Sequence, residues 1–484
     1  MKQKSLKLNF IMNAILTMSS FIFPLITFPY VSRILQPSGN GKVNFMFSVV
    51  TYFNMFAQLG IPTYGIRACA AVRDDKEKLT RTVHELLFIN IITTLLTYIV
   101  FAFAVVFVPR LHQDKSLAII MSFTIILTTI GVEWLYKALE QYTYITVRSI
   151  IFKAISVVAM FLLVHAKSDY VIYGAITTFA SGASYILNII NAHKYIGLKP
   201  IGQYNCKRHI KPVLIFFAMS IATTIYTNLD SVMLGFMKTD ADVGYYSAAV
   251  KIKTILVSLV TSLGTVLLPR AAYYIEKGET EEFTKLSRKA MNFVILSAVP
   301  MTIYFMMFAK NGIFFLSGSA YAGSIIPMQI IMPTLLFIGI SNLTGMQILV
   351  PLDQENAVLI STIIGAITDL IINVLLIPKM ASAGAAIGTL AAEFCVTFYQ
   401  YMIVRKHVPH LFENITLWKV LLANGLAVLA SFKISSLHFG NFVILVISAI
   451  IFFGVYLVVL LLTKEPLTTE ITGQMLNKIL KNRN

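Results

Sequence analysis

Charge is what this chain has least of: 13% of its 484 residues are Asp, Glu, Lys or Arg, against roughly 25% in a soluble globular protein. That deficit excludes an ordinary soluble enzyme. Cysteine is scarce as well. Cys69, Cys206 and Cys395 form an odd set without metal-ligand spacing, so neither a disulfide framework nor a metal site is expected. The eight histidines fall in loops or near the ends of apolar runs rather than in ligand-spaced pairs. No G-x-x-x-x-G-K-[ST] loop, H-E-x-x-H or G-x-S-x-G is found, which removes an ATP-driven pump, a zinc protease and a serine hydrolase built from this chain alone. No cofactor is expected.

Apolar residues fill the chain instead, at 57%. Runs of twenty or more, the length that crosses a hydrocarbon core of about 30 Å, recur near residues 9–33, 43–65, 84–108, 116–139, 143–165, 169–191, 210–235, 243–268, 288–310, 322–350, 354–377, 382–405, 415–436 and 440–463. The runs are continuous rather than alternating, which disfavours a membrane β-barrel. An all-α polytopic membrane protein of about fourteen spans is expected. Lys2, Lys4 and Lys7 precede the first run, but it is too long for a signal peptide and has no small-residue cleavage pattern, so it reads as a retained helix.

Charge sets the orientation. With the N-terminus inside, 27 of the 39 Lys and Arg fall in cytoplasmic segments, nine in outward loops and three deep within spans. That is the positive-inside pattern, with both termini cytoplasmic. The net charge of +17 therefore reports topology and contact with anionic lipid, and no nucleic-acid partner is expected. The sequon at Asn414–Ile415–Thr416 would face the cytoplasm and stay silent. Ile471, Met475, Ile479 and Leu480 recur at helical spacing among lysines, which suits a helix lying on the inner membrane surface.

The chain hints at a duplicated six-helix unit. Val43–Val50 lies 200 positions before Val243–Val250, and Tyr173–Thr178 lies 210 before Ala383–Gly388. An even number of spans per copy keeps both in one orientation. Polar residues repeat too. In the eighth span Ser247, Lys251, Thr254, Ser258, Thr261 and Thr265 share one helical arc, and in the second Asn44, Ser48, Thr51, Asn54 and Gln58 make a matching stripe. Ser220, Thr223, Thr224, Thr227 and Ser231 add a third in the seventh span. Helix packing also uses Ser and Thr, but Asn, Gln and Lys are too polar for packing alone. The stripes read as a shared hydrophilic cleft.

A charge near mid-span costs about 2.5–3.5 kcal/mol and needs a partner, water or a purpose. Lys153, Lys251 and Lys253 lie eight to ten residues inside their spans. The stripe selects Lys251 for the cleft. Lys253 points elsewhere and reads as an ion-pair residue, as does Glu133, which could meet Lys153 across adjacent spans. Arg33 stands at the outward end of the first span. Asp230, Asp369 and Glu393 are the remaining acids within spans. A cleft richer in Lys and Arg than in acid attracts an anion, and phosphate is the natural one. Pro24, Pro29, Pro62, Pro327 and Pro333 are points at which helices can bend.

These segments resemble a known family. FPYVSRILQPSGNGKVNF (28–45), QLGIPTYGIR (58–67), NLDSVMLG (228–235), GYYSAAVKI (244–252) and NVLLIPKMASAGAAIGTLAAE (373–393) are similar to the polysaccharide transporters among the multidrug/oligosaccharidyl-lipid/polysaccharide flippases, which include the O-antigen and capsular repeat-unit flippases. Gln36 stands where relatives often have Gly. The resemblance implies two six-helix lobes, residues 1–205 and 206–410, with two further helices and a cytoplasmic tail at 411–484. It implies as cargo an undecaprenyl-diphosphate-linked oligosaccharide moved from inner to outer leaflet by alternating access in a bacterial cytoplasmic membrane. Glycosyltransferases and a polysaccharide polymerase would be partners.

On this reading Arg33, Lys153 and Lys251 contact diphosphate, Asn54, Gln58, Thr224, Asn228, Thr254 and Ser258 line the cleft, and Asp230, Asp369 and Glu393 are ion-coupling candidates. The rivals are a cation-coupled multidrug exporter of the same fold, a peptidoglycan-precursor flippase and a membrane-embedded polymerase or ligase. Mid-membrane lysines argue against the exporter, whose cavity should be acidic.

Overall fold

The computed structural model describes residues 6–197, 199–408, 411–413 and 416–481. Lys2, Lys4, Asn414 and Ile415 of the sequon, and the side chains of Lys7, Thr265, Ile471, Met475, Ile479 and Leu480 lie outside the described residues. Within them every regular element is a helix and none is a strand. In hydrocarbon a helix satisfies its backbone within itself, which an open sheet cannot do. The chain is an all-α polytopic membrane protein, and its surface agrees: Leu429 and Leu462 are 75% and 76% exposed, positions that lipid covers.

Among the described residues eleven helices are long and apolar enough to span, or twelve with one bent pair. The expectation of about fourteen differs for two local reasons. The first helix, Leu6–Gln58, runs for 53 residues, about 80 Å at 1.5 Å per residue, and so contains two spans. They part at Gln36, whose φ of 58° and ψ of 179° interrupt the helix before Pro37. Lys115–Gly131, at 17 residues, is the apolar helix that falls just short of a full span.

Two compact units divide the chain, Met1–Gly244 and Tyr245–Asn484. The first holds α1 (Leu6–Gln58), α2 (Ile61–Ala70), α3 (Lys76–Phe107), α4 (Pro109–His112), α5 (Lys115–Gly131), α6 (Glu133–Ala138), α7 (Tyr142–Leu163), α8 (Tyr170–Thr178), α9 (Tyr185–Ala192) and α10 (Lys207–Met237). A π-turn at Phe179–Ala183 separates α8 from α9. Ile61, Cys69, Val83, Leu86, Trp134, Leu135 and Tyr136 form a core in this unit. Gly65 is needed there because a Cβ would press into the Trp134 ring at 2.8 Å. The seventh span, α10, belongs to this unit, so the boundary falls in the first turns of the next helix, not before α10.

That helix, α11 (Asp240–Glu276), continues into the second unit, followed by α12 (Thr280–Met307), α13 (Ala309–Ser317), α14 (Ile325–Ile331), α15 (Thr334–Asn342), α16 (Glu355–Met380), α17 (Ser382–His407), α18 (Leu417–Ser431), α19 (Asn441–Leu462) and α20 (Pro466–Lys481). Ser319–Ile331 and Thr334–Leu349 meet at 48°, with Pro333 at the break, where it removes a helix donor. Tyr304, Phe308 and Phe452 pack with Val420 and Ala423 into a core that ties α18 and α19 to α12.

Candidate functional site

In the first unit, Lys153 on α7 reaches α1, where its Nζ donates to Ser19 Oγ at 2.9 Å and Ser20 Oγ at 3.1 Å. Glu133 acts on it through space but forms no ion pair with it. That carboxylate instead accepts from Lys137 at 2.8 Å and from Arg148 at 3.3 Å, because Lys137 lies one turn along the same helix and Arg148 starts the next. Arg148 is 3% exposed and sits over the Tyr185 ring at 5.1 Å. Lys153 is therefore held by two hydroxyls and faces the Phe23 ring at 6.0 Å, and among the described residues no carboxylate comes within ion-pair distance of it.

The stripe on the second arm of α1 divides in two. Asn44, Thr51 and Asn54 are half-buried, whereas Gln58 is 5% exposed. Gln58 Nε2 donates to Thr129 Oγ1 at 2.9 Å, and Thr129 also meets Thr94 at 2.8 Å. Asn90, one turn away on α3, donates to the Ala57 carbonyl at 2.8 Å. Gln58 is thus a core residue joining α1, α3 and α5, and the reading of it as a cleft-lining residue is corrected. Arg33 is exposed and donates to the Pro29 carbonyl at 2.6 Å.

On α10, Ser220 and Thr224 are half-buried while Thr223 and Thr227 are exposed. The Ser220 and Thr227 hydroxyls donate to carbonyls one turn back at 3.0 and 2.9 Å, and Asn228 Nδ2 donates to the Thr224 carbonyl at 3.2 Å. With their protons so committed, these groups present oxygen lone pairs. Asp230, next on the helix, is buried.

In the second unit, Thr254, Ser258 and Thr261 on α11 donate to the Val250, Ile255 and Val257 carbonyls at 2.8, 2.6 and 2.9 Å. Their face too offers acceptors. Lys251 on the same stripe is half-buried and engaged by neighbours. Among the described residues no ion pair joins Lys253 to an acid, so its expected pairing is not found. Two of the three coupling candidates, Asp369 and Glu393, are buried on the adjacent helices α16 and α17. Gly388 makes room for Asp369: a Cβ there would stand 2.9 Å from its Oδ1 and overlap Asn373. Beside them the Tyr246 hydroxyl meets Thr389 Oγ1 at 2.8 Å.

Two ionic clusters in the first unit escaped the sequence because they join residues far apart along the chain. Near the N-terminal end of α3, Glu85 is fully buried and accepts from Arg208 Nη2 at 2.6 Å, from Nε at 2.9 Å, from His209 Nε2 at 2.8 Å and from the Asn205 amide at 2.6 Å. At the other end Asp114 accepts from Lys42 at 2.9 Å and from the Tyr170 hydroxyl at 2.8 Å. Arg110 there binds Asp240 and donates to the Gly235 carbonyl at 2.7 Å. The signal that could have found them is acid and base at the same ends of different spans.

The chain is similar in sequence and in fold to known proteins. Residues 6–275 match the model of a family described as polysaccharide biosynthesis protein. Over 407 residues the chain is 26% identical to an Escherichia coli K12 protein provisionally named an O-antigen transporter, covering 83% of this chain and 97% of that one. A Shigella dysenteriae protein of the same provisional name is 23% identical over 396 residues, 80% of this chain and 97% of its own. A solved structure of the lipid II flippase MurJ in an inward-closed conformation has a TM-score of 0.73 at 17% identity, covering 93% of this chain and 98% of that one. At that identity the likeness concerns the fold.

Proposed function

The chain belongs to the polysaccharide biosynthesis protein family, and on that premise we propose that it is a flippase that carries undecaprenyl-diphosphate-linked oligosaccharide repeat units from the inner to the outer leaflet by alternating access. The observation that carries the proposal is the division of polar chemistry within the spans. Lys153, held by the Ser19 and Ser20 hydroxyls, and the half-buried Lys251 supply cations, which suit a diphosphate. Hydroxyls on α10 and α11, whose protons go to their own helices, supply acceptors, which suit the donating hydroxyls of a glycan.

In this account Lys251, Lys153 and Arg33 contact diphosphate, while Asn54, Thr224, Asn228, Thr254 and Ser258 contact sugar. Asp369, Glu393 and Asp230 are the groups through which an ion gradient resets the cycle. The protein works in a bacterial cytoplasmic membrane with both termini inside. Glycosyltransferases supply its cargo at the inner face and a polymerase takes it at the outer face. The test is transport in proteoliposomes, with a fluorescent lipid-diphosphate oligosaccharide set beside a cationic dye. Movement of the glycolipid alone supports the flippase; movement of the dye alone supports the exporter.

A further inference from the structure

The helix α10 lies along α1 and α2 with descending register. Gly235 sits against Phe45 and Phe236 packs on the same ring at 5.2 Å. The Tyr52 hydroxyl reaches the Ile225 carbonyl at 3.4 Å, the Phe56 and Phe217 rings are 5.6 Å apart, and Tyr64 meets His209 Nδ1 at 2.8 Å. Gly60, at φ 75°, lets Phe217 N come to within 2.5 Å of where a Cβ would stand. The seam therefore runs the length of the helix, and an ionic cluster fastens it at each end.

At the inner end, Glu85 receives Arg208 and His209 from the first turn of α10. Because a carboxylate only accepts, His209 Nε2 donates to it, and in the neutral ring Nδ1 accepts from Tyr64. At the outer end Arg110 receives the Gly235 carbonyl from the last turn of α10 and Asp240 from just beyond it. Lys42 and Tyr170 complete that cluster through Asp114. Between the ends, Ser220, Thr223 and Thr227 are half-buried or exposed, and the contacts there include the Tyr52 hydrogen bond and the Phe56–Phe217 ring edge. Buried charge pairs separate only when another partner or water replaces the lost one, so each end behaves as a discrete latch.

We propose that these are two latches on one helix, released in turn: the Glu85–Arg208–His209 latch when the inner end opens, and the Arg110–Asp240 latch when the outer end opens. Their assignment to inner and outer ends rests on the flippase reading and its orientation. Neutralising one latch thus favours opening at that end alone. A residue that merely stabilises the fold has no such directional effect.

The experiment uses the full chain with Cys69, Cys206 and Cys395 replaced by Ser and a reporter cysteine placed at Ser220 or Thr227. A membrane-impermeant maleimide is applied to either face of oriented vesicles. E85Q raises labelling severalfold from the inner face, and D240N raises it severalfold from the outer face. R208Q and R110Q repeat the two arms should a buried carboxamide prevent insertion. Labelling that rises on the same face for both latches, or that stays constant in all four inserted variants, overturns the proposal. Opposite shifts with the faces exchanged keep the latches and overturn the orientation. Opposite shifts that added lipid-diphosphate oligosaccharide does not alter keep the latches and overturn the flippase reading.

Discussion

Single side chains divide into those that carry a free charge or lone pair and those that hold the fold. Gln58 holds the fold. Leu at this position removes one hydrogen bond to Thr129, which keeps Thr94 and the Ile125 carbonyl as partners. We expect Gln58→Leu to cost about 1 kcal/mol of stability or less, read as a small change in melting temperature, with transport retained. Asp369→Asn is expected to behave in the opposite way: a stable protein whose transport no longer responds to an imposed ion gradient in proteoliposomes. Lys153 and Lys251 stand out in the sequence because a mid-span charge is too costly to be incidental, and their role is what the transport assay tests. Gln58 was misread because helical spacing shows that residues share an arc but not what covers it. Glu85 was missed because its partners lie 123 and 124 positions away.

Helices show the same division between local and distant information. Their existence and order were readable from apolar runs, whereas the break at Gln36 and the inclusion of α10 in the first unit depend on tertiary contacts. Gly41 marks one such contact: a Cβ there would overlap the Asp240 carbonyl. Because backbone cannot yield as a side chain does, Gly41→Ala should destabilise by more than the roughly 1–3 kcal/mol of ordinary overpacking, seen as loss of folded protein on detergent extraction. At the other end of the chain, Glu465 caps α20, accepting from the Leu467 and Thr468 amides at 3.2 and 2.6 Å, and receives Asn292 from α12 at 2.8 Å. Burial pushes its carboxyl upward, but these bonds outweigh burial and hold it below the ordinary glutamate value. Its stabilisation is thus fully present above about pH 4.3 and is lost as pH falls through the lowered folded value. Glu465→Gln should cost about 1 kcal/mol at neutral pH and remove that acid-side loss, measured as hydrogen exchange along α20.

At the scale of the molecule, low charge and recurrent apolar runs were sufficient to indicate an all-α polytopic membrane protein, and the motifs at 28–45, 58–67, 228–235, 244–252 and 373–393 carried the resemblance to polysaccharide transporters, with which the family match over residues 6–275 agrees. The cargo is a question of chemistry rather than of fold, since one fold hosts several transport functions. What decides it is whether the cations within the spans serve a diphosphate. The most direct measurement is leaflet translocation of a fluorescent lipid-diphosphate oligosaccharide in proteoliposomes, with the unsubstituted protein beside Lys251→Ala and Lys251→Gln at matched insertion. A fall of about tenfold or more in both variants, equivalent to roughly 1.4 kcal/mol, is the predicted result; full transport by both would contradict a cationic substrate site at Lys251.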